Sequence, residues 1–235
     1  MIHPQLPLAL GMPPLSSFDT FYAVGANQHI LSAVQAFCQD TLSERQLFLW
    51  GDANVGKTHL LSAACQYMSN AGFHVAYLNG DMASAPGALD ALENMDLVCF
   101  DDIHLLAALA EEPLFHMINR CRETDTRLLL ASRHAVDGLP ITLADLRTRL
   151  SWGPVFGLQG VAAEHIPALF EQLLAQRSLP VSDEVTEFVM RRYPRDVTAL
   201  KSLVEKLDEA SMSTKRGITI PLVQEIFKRS DELTV

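Results

Sequence analysis

The sequence predicts an α/β fold, a five-stranded and mostly parallel sheet with helices on both faces, followed by a small all-helical second domain. Three observations predict it. Five short apolar runs alternate with stretches of helical spacing. A phosphate-loop pattern, GDANVGKT (Gly51–Thr58), joins the first run to the helical stretch behind it. Beyond about Gly160 the strand signal fades and only helical spacing remains.

Residues 1–16 read as a Pro-rich, mobile tail that contains the apolar peptide QLPLAL (Gln5–Leu10). LFLWG (Leu47–Gly51) is a short apolar run ending in glycine, which suits a buried strand. LLSAACQYM then sets Leu60, Leu61, Ala64, Cys65 and Met68 at helical spacing. HVAYLNG (His74–Gly80) and LVCFDD (Leu97–Asp102) are the next two strands, and a helix runs through Phe115 and Ile118. RLLLAS (Arg127–Ser132) and VFGL (Val155–Leu158) complete the five. Past residue 160, Leu169, Phe170, Leu173 and Leu174 are helically spaced, as are Val185, Phe188 and Val189. Val197, Leu200, Leu203, Val204 and Leu207 repeat the pattern, and IPLVQEIFKR closes the chain. The expected division is 1–16, 17–160 and 161–235.

Composition narrows the function. The formal charge is −10, and neutralising a nucleic-acid backbone needs basic surface, so autonomous DNA or RNA binding is disfavoured. The cysteines, Cys38, Cys65, Cys99 and Cys121, lie far apart with no Cys-x-x-Cys pair, which excludes a zinc ribbon or thioredoxin motif. Cys65 and Cys99 sit in apolar runs and read as buried thiols of a reducing compartment. No apolar run approaches the ~20 residues of a membrane helix. The first basic side chain is Arg45, and Pro4, Pro7, Pro13 and Pro14 break up the start, so QLPLAL does not read as a secretory signal. A cytoplasmic location is expected. The eight histidines show no metal-ligand spacing.

Two motifs carry chemistry. GDANVGKT supplies Gly51, Asp52, Ala53, Asn54, Val55, Gly56, Lys57 and Thr58. The glycines let backbone wrap phosphate oxygens, and the N–H groups opening the helix favour anions. Lys57 would reach the β/γ-phosphates of ATP or ADP, and Thr58 would bind Mg²⁺. A chance match in a turn lacks the flanking strand and helix that are present here. LVCFDD delivers two carboxylates to the carboxyl end of a strand, where such sheets bind ligands. Asp101 would hold the Mg²⁺ shell, and Asp102 would polarise an attacking water.

Several segments, in order, resemble the AAA+ module of the bacterial replication initiator DnaA. They are SFDTFYAVGANQ (Ser17–Gln28), NVGKTHLLSAACQ, DDIHLL, EEPLFHMINR, LADLRTRLSWG (Leu143–Gly153) and PRDVTALKSLV (Pro194–Val204). Within that family the compact regulatory inactivators are the most similar, and they too begin with a QL-x-L-x-L peptide. The resemblance implies residue roles. Arg149 matches the family's arginine finger, which enters a neighbouring subunit's nucleotide site. Arg195 matches the lid's sensor 2 arginine, and Ser132 falls at the sensor 1 position. Phe21, Val24 and Asn27 lie where the family builds its base pocket. Arg147, Arg191 and Arg192 read as surface or interface charges. Arg133 stands where the initiator carries Asp, a departure that argues against fast intrinsic hydrolysis.

The resemblance also implies partners. The helix-turn-helix DNA reader and amino-terminal partner domain of the initiator are expected to be absent, with QLPLAL standing in place of the latter. Gln5, Leu6, Leu8 and Leu10 would dock in a groove of the sliding clamp, the β subunit of DNA polymerase III, as an extended peptide stiffened by Pro7. DNA would be met only through the clamp. Arg149 would then drive hydrolysis of DnaA's ATP, while the chain's own site holds ADP or ATP. The resemblance permits further copies of the chain to assemble. An autonomous AAA+ ATPase of helicase-loader type is the alternative, resting on Gly56, Lys57, Thr58, Asp101 and Asp102. A P-loop kinase is a remote third.

Overall fold

The computed structural model describes residues 16–192, 197–214 and 218–232. It divides into two compact units, Met1–Gly160 and Val161–Val235.

In the first unit, five strands form one parallel sheet in the order β2-β3-β4-β1-β5. They are β1 (Gln46–Trp50), β2 (Val75–Asn79), β3 (Leu97–Asp101), β4 (Arg127–Ser132) and β5 (Val155–Gly157). Burial follows that order. The inner strands β3, β4 and β1 are nearly continuous apolar runs, whereas edge strands β2 and β5 are only partly covered.

Side chains alternate across the sheet, so residue parity selects the face. Leu47, Leu49, Leu97, Cys99, Leu129 and Ala131 point to one side. There they meet α1 (Ala26–Cys38), through Ile30, Val34 and Phe37, and α2 (Lys57–Asn70), through Leu60, Leu61 and Met68. Phe48, Val98, Phe100, Leu128 and Leu130 point to the other. They pack on α4 (Glu111–Glu123), through Leu114, Met117 and Ile118, and α5 (Ala144–Leu150), through Leu146 and Leu150. A short helix, α3 (Gly80–Ala83), follows β2, and the Asn79 side chain caps it by accepting from the Met82 amide at 2.8 Å.

The connection from β1 to β2 crosses to the far edge of the sheet, while that from β4 to β5 passes to the other side of β1. The neighbouring carboxyl ends of β3, β4 and β1 therefore open onto the point where the winding reverses, the expected crevice for a ligand.

The second unit is helical among its described residues. It contains α6 (Ile166–Gln176), α7 (Asp183–Arg192), α8 (Val197–Thr214) and α9 (Ile220–Glu232). Leu169, Phe170 and Leu173 of α6 share its core with Val185 and Val189 of α7, Leu200, Leu203 and Leu207 of α8, and Val223 of α9. Arg177, just past α6, pairs with Glu205 at 3.5 Å and Asp208 at 3.6 Å of α8.

All four cysteines are free and buried. Burial pushes the Cys38 and Cys121 thiols up to about 12, so neither is a nucleophile at neutral pH. Among the described residues no helix is long and apolar enough to cross a membrane, and no group of three or more His, Cys, Asp or Glu is placed to hold a metal.

Candidate functional site

The loop between β1 and α2 forms the floor of the crevice. Gly51 donates its amide to the Ser132 carbonyl at 3.3 Å, so the loop springs from beside the end of β4. Asn54 and Gly56 both take positive φ, +66° and +105°, and reverse the chain into α2. A Cβ on Gly56 would lie 2.6 Å from the Phe21 ring, so only glycine fits between that ring and the loop. Asp52, Ala53 and Asn54 are exposed, and Val55 packs partly on the core below. The Lys57 side chain is buried and turned into the loop, where Nζ donates to the Gly51 and Asp52 carbonyls at 2.7 Å each. Burial lowers the Lys57 ammonium from its ordinary value, while Asp101, Asp102 and Asp52 pull the other way.

The wall comes from β3. Asp101 is buried, and its Oδ2 accepts from Thr58 Oγ1 at 2.5 Å and from Tyr77 Oη at 2.9 Å. Its Oδ1 accepts from the Asp102 amide at 2.9 Å. A hydroxyl and an anionic carboxylate meeting at the start of α2 form an oxygen donor pair that suits a hard cation such as Mg²⁺. The residues present fit that ion: Thr58 and Asp101 would hold it, and it would supply positive charge to offset a phosphate's.

Asp102 turns the chain after β3 with φ +49°, a conformation Asp tolerates better than most residues. Its carboxyl is partly exposed and faces His104, with Oδ1 3.9 Å from Nδ1. Burial, reinforced by Asp101, raises the Asp102 carboxyl above its ordinary value. Burial likewise lowers His104. The Arg133 amide approaches His104 Nδ1 at 3.4 Å. Ser132 is fully buried, and its Oγ accepts from the His134 amide at 3.2 Å, closing the turn after β4.

The segment before α1 lines the opposite side. Phe21 is buried with its ring edge-on to His59, centroids 5.4 Å apart. Val24 is half-buried. Asn27 is buried, and its amide makes two bonds to one residue: Nδ2 donates to the Gln159 carbonyl at 2.8 Å, and Oδ1 accepts from the Gln159 amide at 3.0 Å. It clamps the chain after β5 and so shapes the wall through backbone.

Gly51 through Thr58, Asp101, Asp102 and Ser132 thus converge on the carboxyl ends of β1, β3 and β4. Arg149 does not. It lies near the end of α5, where the Gln46 side chain at the start of β1 donates to its carbonyl at 2.9 Å. Five rises of ~3.3 Å, from Gln46 to Gly51, put the start of the phosphate loop roughly 16 Å away. The Arg149 guanidinium stacks on Trp152, 3.8 Å from the ring centroid, and lies 5.5 Å from the Phe115 ring. Arg147 donates to the Ile141 carbonyl, Arg191 pairs with Glu187 at 2.8 Å, and Arg192 lies over Phe188 at 5.3 Å. Gln5, Leu6, Leu8, Leu10 and Arg195 lie outside the described residues.

Sequence reasoning passed over several residues that organise this region. Tyr77 anchors Asp101, Gln46 anchors Arg149, and Glu111 of α4 holds the entry to α5 by accepting from the Thr142 and Leu143 amides at 3.1 and 2.8 Å. A Glu-Glu-Pro at a helix start is visible in sequence, but its partners some thirty positions on are not.

Comparison with known proteins follows the same division. The domain III structure of the Thermotoga maritima replication initiation protein DnaA superposes with a TM-score of 0.78 at 19% identity, covering 93% of this chain and 98% of that one. AMPPCP-bound DnaA from Aquifex aeolicus gives 0.73 at 20% identity, covering 95% and 72%. A replication initiator DnaA bound to AMPPCP and single-stranded DNA gives 0.73 at 18%, covering 88% and 70%. The family model of the bacterial DnaA ATPase domain matches residues 14–157, and that of the Hda lid domain matches residues 164–227. The chain belongs to the bacterial DnaA ATPase domain family, as a DnaA-related AAA+ protein with an Hda-type lid domain.

Proposed function

We propose that this protein is a negative regulator of replication initiation that stimulates ATP hydrolysis by DnaA and leaves the initiator in its inactive ADP form. The observation that carries the reading is the position of Arg149. It lies at the opposite end of β1 from its own phosphate loop, roughly 16 Å away. An arginine side chain cannot bridge that distance to its own nucleotide. A second subunit docked at that end would receive the guanidinium at its γ-phosphate, where it stabilises charge developing in the transition state.

The chain's own loop would bind ADP or ATP through Gly51–Thr58, with Lys57 on the phosphates and Thr58 and Asp101 around Mg²⁺. Two of the solved relatives carry AMPPCP, which supports a nucleotide in the corresponding loop. Arg195 would contact that nucleotide from the lid, Ser132 would serve as sensor 1, and Phe21, Val24 and Asn27 would form the base pocket. The nucleotide then acts as a structural switch for docking. Gln5, Leu6, Leu8 and Leu10 would tether the protein to the DNA polymerase III sliding clamp in the cytoplasm, so that DNA is met only through the clamp. Copies of the chain could pair through the same end.

The test is hydrolysis of DnaA-bound ATP in the presence of clamp loaded on DNA. Wild type is expected to stimulate it, and Arg149→Ala to lose the stimulation. Removal of Gln5 and Leu6 should abolish clamp binding and the clamp-dependent part of the rate. Equal stimulation by Arg149→Ala refutes the mechanism.

The Thr58–Asp101 pair with Asp102 beside it favours a second reading, an autonomous ATPase of helicase-loader type. Turnover by the purified chain that is lost in Asp102→Asn would support it. Turnover near zero would count against it.

A further inference from the structure

We propose that Trp152 is a positioning residue for Arg149, an aromatic shelf that aims the guanidinium while leaving its charge and donors free for a partner's phosphate. The inference rests on the trans-arginine reading above. Trp152 and Arg149 are joined by main chain as well as by rings. The Trp152 amide donates to the Arg149 carbonyl at 3.1 Å, and the Gln46 amide group donates to the same carbonyl at 2.9 Å. Those bonds fix the turn that carries the indole under the guanidinium, 3.8 Å from ring centroid to guanidinium carbon.

The alternative way to hold an arginine is a carboxylate. No carboxylate pairs with Arg149 among the described residues. A carboxylate would occupy the guanidinium's N–H fork and cancel its charge, and both would have to be recovered before a phosphate could bind. Stacking uses the face of the guanidinium, while its five donors lie in the plane. Nε is buried without a hydrogen bond among the described residues, so the donors left for a phosphate are the terminal Nη groups. The ring therefore supplies direction without consuming what a phosphate needs.

Arg122 of α4 lies over the same ring, its guanidinium carbon 4.1 Å from the centroid, and it too pairs with no carboxylate among the described residues. Two cations thus share one indole at this end of the sheet, where Arg122 and Trp152 line a pocket together with Arg45, Asp125 and Glu44.

The experiment follows hydrolysis of DnaA-bound ATP with DNA-loaded clamp across a range of concentrations of this protein. Trp152→Leu is expected to lower the maximal rate about tenfold while the half-saturating concentration stays within about twofold of wild type. Trp152→Phe keeps an aromatic face and should recover most of the rate. Trp50 and Trp152 are the two tryptophans of the chain, so Trp50→Phe leaves Trp152 as sole reporter. In that background Arg149→Ala should change Trp152 emission in the isolated protein. A wild-type maximal rate in Trp152→Leu, alongside loss in Arg149→Ala, overturns this inference and leaves the trans-arginine reading standing. A wild-type rate in Arg149→Ala overturns both. If Trp152→Leu does not fold, Trp152→Phe and the emission decide: emission blind to Arg149 overturns the shelf.

Discussion

The side-chain amide of Gln46 donates to the main-chain carbonyl of Arg149 at 2.9 Å, one strand length away from the phosphate loop that follows β1. Arg149 and Lys57 therefore lie at opposite ends of β1. Titration calorimetry with ADP should separate them. Lys57→Ala would remove the charge-assisted bond proposed between Lys57 and phosphate, worth about 1.5–3 kcal/mol, and is expected to weaken binding by roughly ten- to a hundredfold. Arg149→Ala should leave the affinity within about twofold of wild type. A comparable loss in both variants would place Arg149 in its own chain's site and end the trans argument.

The Thr58 hydroxyl and the Asp101 carboxylate meet at 2.5 Å, with Tyr77 on the same oxygen at 2.9 Å. This pair predicts that Mg²⁺ strengthens ADP binding and that the strengthening depends on Asp101. Asp101→Asn should lose about tenfold in affinity when Mg²⁺ is present and much less when it is chelated. Tyr77→Phe keeps both cation donors and should cost less than about threefold in either condition. Calorimetry with and without EDTA checks it, and an equal loss under both conditions would remove Asp101 from the cation site.

Much of this fold was legible because the sheet is buried on both faces. Continuous apolar runs such as Leu97–Phe100 have few readings other than an inner strand, and each run fell within a residue or so of the strand it marks. Helix α1 was less visible. Its anchors Ile30, Val34 and Phe37 have helical spacing, but no Pro or Ser punctuates its start. At the site, the loop and the paired aspartates were legible since each is local in sequence. What fixes them is not. Tyr77 reaches Asp101 from the neighbouring strand, Asn27 grips Gln159 from 132 positions away, and Glu111 grips Leu143 from 32. Such contacts depend on strand order and helix placement, which periodicity does not encode.

Glu111 yields a prediction in pH. Burial alone would raise its carboxyl, but bonds from the Thr142 amide and hydroxyl and the Leu143 amide, with Arg147 nearby, outweigh burial and hold it below its ordinary value of 4.5. A carboxyl depressed in the fold stabilises above its unfolded pKa, and that contribution is lost as pH falls through the folded value. Glu111→Gln should therefore cost about 1.5–3 kcal/mol at pH 7. The gap between variant and wild type should close as pH drops below about 4.5. Urea melts at several pH values measure it, and a gap that stays constant down to acid unfolding would show that the charge is not what holds α5.

Gly56 couples conformation to contact in a way that can be taken apart. Its φ of +105° and the Phe21 ring, 2.6 Å from any added Cβ, both oppose a side chain. Gly72 also has positive φ, +88°, but nothing lies within 4 Å of its missing Cβ. Gly72→Ala should thus report the backbone cost alone, about 1–2 kcal/mol, with unchanged ADP binding. Gly56→Ala should cost more than Gly72→Ala, because ring or loop must also shift, and a shifted loop should weaken ADP binding by at least about tenfold. Adding Phe21→Leu to Gly56→Ala relieves the contact but not the φ. It should recover part of the extra stability loss. Equal melting of Gly56→Ala and Gly72→Ala, with ADP affinity intact in both, would mean that the Phe21 ring yields freely and does not set the loop.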